Sequence, residues 1–164
     1  MDVIVVGIDG SKGAQVATRW AAKQALQTGG RVIAVHAMGR SGLWMLDAAQ
    51  IDTDELLTEL RGYLDGPWVA PLRTVGVAYT TKVVRGDPAT ELLRIARRAD
   101  ASMLVLGSKS HGAIADLVVG GTVHKIINRS DIPVVLVPAS PPAKPPAKRK
   151  PPPRTTRAGG GRSA

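Results

Sequence analysis

The chain has 164 residues, 44% of them hydrophobic and 21% charged, with a formal net charge of +9. That is one domain of ordinary size with a core of its own, so a chain disordered throughout is excluded. Cysteine is absent, which removes disulfides, thiolate metal centres and cysteine nucleophiles and points to the cytoplasm.

Met1-Asp2 leads directly into Val3 to Ile8, a Val-rich run suited to a strand buried on both faces. No basic leader precedes it, and no apolar run approaches the roughly 20 residues that span a bilayer, so neither export nor membrane insertion is expected. Asp9-Gly10-Ser11 ends the strand. From Lys12 to Thr28 the residues Ala14, Ala17, Ala21 and Ala25 fall three or four apart and make a narrow helical stripe, which Gly29-Gly30 closes. Val32 to Ala37 reads as a second strand and Met38 to Gln50 as irregular. Leu56, Leu57, Leu60 and Leu64 place a second helix over Asp52 to Leu64, and a third strand falls within Val75 to Val84.

Gly86-Asp87-Pro88-Ala89 is a helix start: Asp caps free amides, and Pro at the first helical position lacks an N–H that would be orphaned anyway. That helix runs to about Ala99, burying Leu92, Leu93 and Ala96 and turning Arg94, Arg97 and Arg98 to water. Ser102 to Leu106 is a fourth strand, Thr122 to Arg129 a short helix and Ile132 to Val137 the last strand. Residues 139–164 hold seven of the 22 basic and seven of the 12 Pro residues and no acidic one, which reads as a disordered basic tail. Residues 1–138 are then the folded domain, with 15 basic against 13 acidic side chains.

Strands alternating with helices imply an α/β fold, a parallel doubly wound sheet that binds ligands beyond the carboxyl ends of its strands. Asp9 to Ser11, Ala37, Arg85-Gly86 and Gly107 to Gly121 occupy those positions. The densest is Gly107-Ser108-Lys109-Ser110-His111-Gly112, followed by Gly120-Gly121-Thr122 at a helix start. Glycines admit backbone amides to an anion, a helix N-terminus adds partial positive charge, and Ser108, Ser110, Thr122 and Lys109 would complete a phosphate cradle. The bland alternative is a loop whose glycines only permit tight turns. Neither a Walker A loop nor a G-x-G-x-x-G turn is present. Asp9 is either a helix cap or a ligand residue, His36 is a packed residue, His111 a solvated one and Asp87 a cap.

The chain resembles the universal stress protein family over residues 3–138. The resemblance rests on Val-Gly-Ile-Asp-Gly-Ser at 6–11, Arg-Gly-Asp-Pro-Ala at 85–89, Leu-Val-Leu-Gly-Ser at 104–108 running into His-Gly, and Ile-Pro-Val-Val-Leu-Val at 132–137. It implies a five-stranded parallel sheet of order 3-2-1-4-5 and a homodimer paired through the last strands. Some members bind ATP through a G-x2-G-x9-G-(S/T) pattern. Carried over, its glycines fall on Gly107, Ser110 and Gly120 and its hydroxyl on Gly121, so two of four positions depart, with Thr122 one residue beyond. The resemblance also implies Asp9 near the ribose or a nucleotide-bound Mg²⁺, Ala37 and the backbone of Gly7 and Ile8 beside the adenine, and Gly112 within the loop. A scaffold of the same fold without nucleotide is the alternative. Turnover would be at most slow ATP hydrolysis or phosphotransfer, since no nucleophile–base pair or paired carboxylates are placed together by the sequence. The tail reads first as a solubilising linker; the sharper alternative is non-specific contact with nucleic-acid phosphates, without aromatics to stack on bases.

Overall fold

The computed structural model describes residues 1–39, 53–108 and 120–139. Strand β1 is Val3–Gly7, helix α1 Lys12–Thr28, strand β2 Arg31–Met38 and helix α2 Thr53–Asp65. A 3-10 turn at Pro67–Val69 leads into a short helix α3, Ala70–Val75. Strand β3 is Ala78–Arg85, helix α4 Pro88–Arg98, strand β4 Met103–Ser108, helix α5 Gly121–Arg129 and strand β5 Val134–Pro138. The stretch between β2 and α2, read as irregular, and the tail beyond Ala139 lie outside the described residues.

All four strand pairs are parallel and the order is β3-β2-β1-β4-β5. Alternation along β1 divides the core. Ile4, Val6 and Ile8 pack with α1, Leu64 of α2 and Leu72 of α3, whereas Val3 and Val5 pack with Leu92, Leu93 and Ala96 of α4 and with Val123 and Ile126 of α5. Because both faces are covered, the strand core reads as an unbroken apolar run rather than an alternating one. Full burial of each such Val or Ile contributes about 1.5–3 kcal/mol of transfer free energy. The edge strand β3 is different: its residues alternate exposed and half-buried along Ala78–Thr81, and its threonines and Lys82 suit that position.

Helix α1 rests on the sheet through Ala14, Ala17, Ala21, Ala22 and Ala25, all at most 4% exposed. Small residues alone let its backbone come so near. Gly29, with φ of +62°, caps it in the left-handed conformation, and Gly30 N–H donates to the Ala25 carbonyl. Helix α3 was not expected; Val75, read as strand, is its last residue, and Gly76 at φ +77° ends it. The apolar pair Val69 and Leu72, buried three residues apart, is its only periodic signal and is too short to separate from a strand.

Candidate functional site

The strand order reverses between β1 and β4, and there a cleft of about 550 Å³ opens at the carboxyl ends of the strands. Its lining has two characters. Val35, Ala37, Pro88, Leu92 and Leu106 form an apolar side, while Asp9, Ser11, Lys12, Ser108, Gly120, Gly121 and Thr122 supply a polar one. Gly7 and Ile8 lie between them at the end of β1, and Gly13, Ala14, Gly107, Val123 and Ala139 complete it. Of the residues singled out in the sequence, Gly7, Ile8, Asp9, Ala37, Gly107, Ser108, Gly120, Gly121 and Thr122 thus meet around one cavity. Ser110 and Gly112 lie outside the described residues, with Lys109 and His111.

Three helices, α1, α4 and α5, begin at this end of the sheet, and their caps differ. Ser11 Oγ accepts from Ala14 N at 3.1 Å and closes α1. Asp87 Oδ1 accepts from Thr90 N at 3.1 Å and closes α4. Helix α5 starts from Gly120, in extended conformation (φ −62°, ψ 158°), with no side-chain cap among the described residues. A helix leaves its first amides without intrahelical partners, and those of α5 belong to residues that line the cleft. A Cβ at Gly121 would meet nothing within 4 Å among the described residues.

Asp9 does not cap α1 directly. Its Oδ1 accepts from Ser11 N at 3.0 Å, which holds the exposed carboxylate against the turn at the lip of the cleft. Lys12, in the first turn of α1, is the cation among the described lining residues. Sequence reasoning missed Lys12, Pro88 and Leu92 as lining residues. The signal existed in principle, since each belongs to the first turns of a helix that follows a strand end.

Gly107 answers to packing. A Cβ there would lie 2.7 Å from the Ala14 amide nitrogen, and one on Gly13 would lie 2.7 Å from the Ser108 carbonyl oxygen. The end of β4 and the first turn of α1 therefore touch backbone to backbone, and Gly7 is confined by Leu106, whose Cδ2 would lie 2.9 Å from a Cβ. His36 is half-buried outside the cleft; its Nδ1–H donates to the Ile8 carbonyl at 2.8 Å, and its ring centroid lies 5.3 Å from that of Trp68. Asp87 is drawn to a pKa of about 2, first by the hydrogen bond from Lys125 Nζ at 2.8 Å and then by the Thr90 amide and hydroxyl. No group of three or more His, Asp or Glu side chains arranged to hold a metal exists among the described residues, and no described helix is long and apolar enough to cross a membrane.

Residues 1–138 match the sequence profile of the Universal stress protein family. A universal stress protein of Mycobacterium tuberculosis is 30% identical over 139 residues, which cover 81% of this chain and 44% of that protein. The chain thus spans under half the length of that relative. Among solved structures, the universal stress protein of Archaeoglobus fulgidus in complex with dAMP superposes with a TM-score of 0.64 at 23% identity, over 83% of this chain and 97% of that one. A universal stress protein in complex with cAMP superposes with a TM-score of 0.62 at 18% identity, over 85% of this chain and 98% of the other. These likenesses are to the fold.

Proposed function

Because the chain belongs to the universal stress protein family, we propose that its cleft binds an adenine nucleotide, with ATP as the preferred form. The observation that carries this reading is the uncapped N-terminus of α5 opening onto the cleft, beside two helices whose own caps are filled. In the proposal the amides of α5 with Ser108 and Thr122 hold phosphates, and Gly107 keeps the first turn of α1 close to them. Lys12 adds charge. The apolar side takes the base, with Ala37, Gly7 and Ile8 against it, and Asp9 takes the ribose hydroxyls. A lone carboxylate also fits a Mg²⁺ that is held chiefly by the nucleotide's phosphates, so Asp9 is the residue to which such an ion would turn. Two of the superposing universal stress proteins are complexes with adenine nucleotides, dAMP and cAMP, which is the same ligand class.

The rest of the proposal concerns the whole chain: a stress-response module that works in the cytoplasm as a homodimer through β5, built on a domain of residues 1–138 with residues 139–164 as a basic, solubilising appendage, whose non-specific contact with nucleic-acid phosphates belongs to the alternative below. A nucleotide-free scaffold of the same fold is the competing reading. It is favoured by Gly107, whose lack of a side chain packing alone explains, and by Gly121 where the ATP pattern has a hydroxyl.

Thermal unfolding with and without Mg-ATP, ADP and AMP separates the two. A ligand at 100 times its dissociation constant stabilises a folded state by about 2.7 kcal/mol, which raises Tm by several degrees in a domain of this size. Gly120→Asp is the control. Its φ of −62° accepts any side chain, and the new carboxylate would cap α5 and repel phosphates. The expected result is a nucleotide-dependent rise in wild type that is absent in Gly120→Asp, while the variant alone unfolds no earlier than wild type. Absence of any shift at millimolar nucleotide would leave the scaffold.

A further inference from the structure

The arginines of α4 face water as the sequence suggests, Arg97 and Arg98 exposed and Arg94 half-buried, and they also gather around a hollow. Arg94, Arg97 and Arg98 stand three and four residues apart, on one side of the helix, and Arg129 at the end of α5 joins them. With Thr90 and Leu93 these four line a hollow of about 390 Å³ between the two helices, and no carboxylate is among its described lining residues. We propose that this hollow is a second anion site, separate from the nucleotide cleft, which takes a compact chain of phosphates such as a triphosphate.

Four guanidinium groups crowded together repel one another, and two acids outside the hollow offset half of that charge. Glu91 accepts from Arg94 Nε at 3.0 Å and also from its Nη2. Asp131 accepts from Arg97 Nε at 2.9 and 3.1 Å, and Arg97 Nη2 donates to the Arg129 carbonyl at 3.2 Å. Each of these pairings occupies part of a five-donor guanidinium and fixes its plane, so that the remaining N–H groups are presented as a set. An excess of two positive charges faces the hollow.

Size and chemistry select the ligand. Arg94 to Arg98 spans about 6 Å of helix, the reach of two or three linked phosphates. Guanidinium forks match phosphate oxygens bidentately, and a chain of phosphates offers several such oxygen pairs at once where a single carboxylate offers one and a halide none. No aromatic ring is among the described lining residues, so a nucleobase finds nothing there to stack on and the phosphates are what is read. The phosphates belong either to a free oligophosphate or to a nucleotide, and the two sources differ in whether adenosine adds affinity.

Calorimetric titration of the full chain with tripolyphosphate, at about 0.15 M salt where exposed charges are largely screened, tests the proposal. Saturable binding is expected, weakened about tenfold or more in the double variant Arg98→Gln/Arg129→Gln. The charge-matched pair Arg19→Gln/Lys23→Gln, exposed on α1, is expected to change it less than about twofold. Gly120→Asp, which closes the cleft to phosphates, should leave it intact, and within that variant ATP binding tighter than tripolyphosphate would identify a nucleotide as the source. Should the glutamine pair unfold the chain, Arg98→Lys/Arg129→Lys keeps the charge, lacks the fork and is expected to lose most of the affinity. The proposal is overturned by no saturable binding in wild type, by equal loss in both charge-removing pairs, by unchanged affinity in the arginine variants, or by loss in Gly120→Asp. A single-stranded oligonucleotide that displaces tripolyphosphate at far lower phosphate concentration would overturn it in favour of a polymeric ligand.

Discussion

Gly107 and Gly13 are one feature seen from two sides. Their hypothetical Cβ atoms point at each other's backbone, and backbone cannot swing aside as a side chain would. Gly107→Ala is expected to destabilise the protein by about 2–4 kcal/mol, read as a lower urea midpoint with little change in slope, whether or not nucleotide is present. A variant as stable as wild type would mean that α1 shifts freely. The glycine was legible as special in the sequence, but its reason was not, because the partner that forbids a side chain comes from a distant part of the chain, the first turn of α1. Asp87 is the opposite case. Asp-Pro at a helix start announces its own role, and the structure adds Lys125 as a second partner. Its carboxylate titrates near 2 in the fold against an ordinary value near 3.8, so the stability it contributes is present above pH 4 and is lost as pH falls through 2. The site is solvated, so the contribution is about 0.5–1 kcal/mol. Asp87→Asn keeps a capping side chain, and its stability is expected to fall less steeply than that of wild type between pH 4 and 2 in acid titrations followed by circular dichroism.

Helix α1 lies close to the sheet because its inner face is alanine, and that choice has a testable cost. Ala21 is fully buried between α1 and the strands. Ala21→Leu is expected to cost about 1–3 kcal/mol by forcing helix and sheet apart, and the lowered Tm should come with weaker nucleotide binding, since Lys12 and Ser11 ride on the same helix. Ala21→Gly offers the contrast: it loses about 1 kcal/mol of helix propensity without overpacking. A leucine variant with wild-type Tm would refute close packing here. Elements of this kind were readable in advance: the three-four spacing of the alanines, Gly29 after the last turn and Pro88 at the start of α4 are local signals. Helix α3 was not readable, since a six-residue helix has no full period to display. Nor was the contrast among caps. Ser11 and Asp87 are visible as capping residues, but only the shared direction of three helices turns the missing cap of α5 into a property of a cleft.

At the scale of the molecule, β5 is an edge strand with Val134, Val135 and Leu136 half-buried and its outer side unpaired among the described residues. Leu104 N donates to the Pro133 carbonyl, so odd-numbered residues of β5 turn their amides to β4 and even-numbered ones turn theirs outward. If two copies pair through β5, as proposed, Leu136→Pro removes an outward donor without breaking the ladder to β4. Sedimentation velocity is then expected to show a dimer for wild type and a shift toward monomer for the variant; a monomeric wild type would end that part of the proposal. The same scale governs the charge. The excess of +9 in the sequence divides into a nearly balanced domain and a tail with seven cations, and within the domain folding concentrates four arginines around one hollow.

Periodicity, caps and the ends of strands are properties of neighbours in the chain, and the sequence by itself determined them: five strands, the principal helices, a parallel sheet and the place of a cleft beyond strands 1 and 4. What only the tertiary structure decided depends on residues far apart in the chain that share a few ångströms of space. The contact between Gly13 and Gly107, the apolar and polar sides of the cleft, the pairing of Lys125 with Asp87 and the gathering of Arg129 with the arginines of α4 are all of that kind. Local chemistry selects each element, whereas which side chains confront one another follows from the order and crossing of the strands, which no single stretch of sequence encodes.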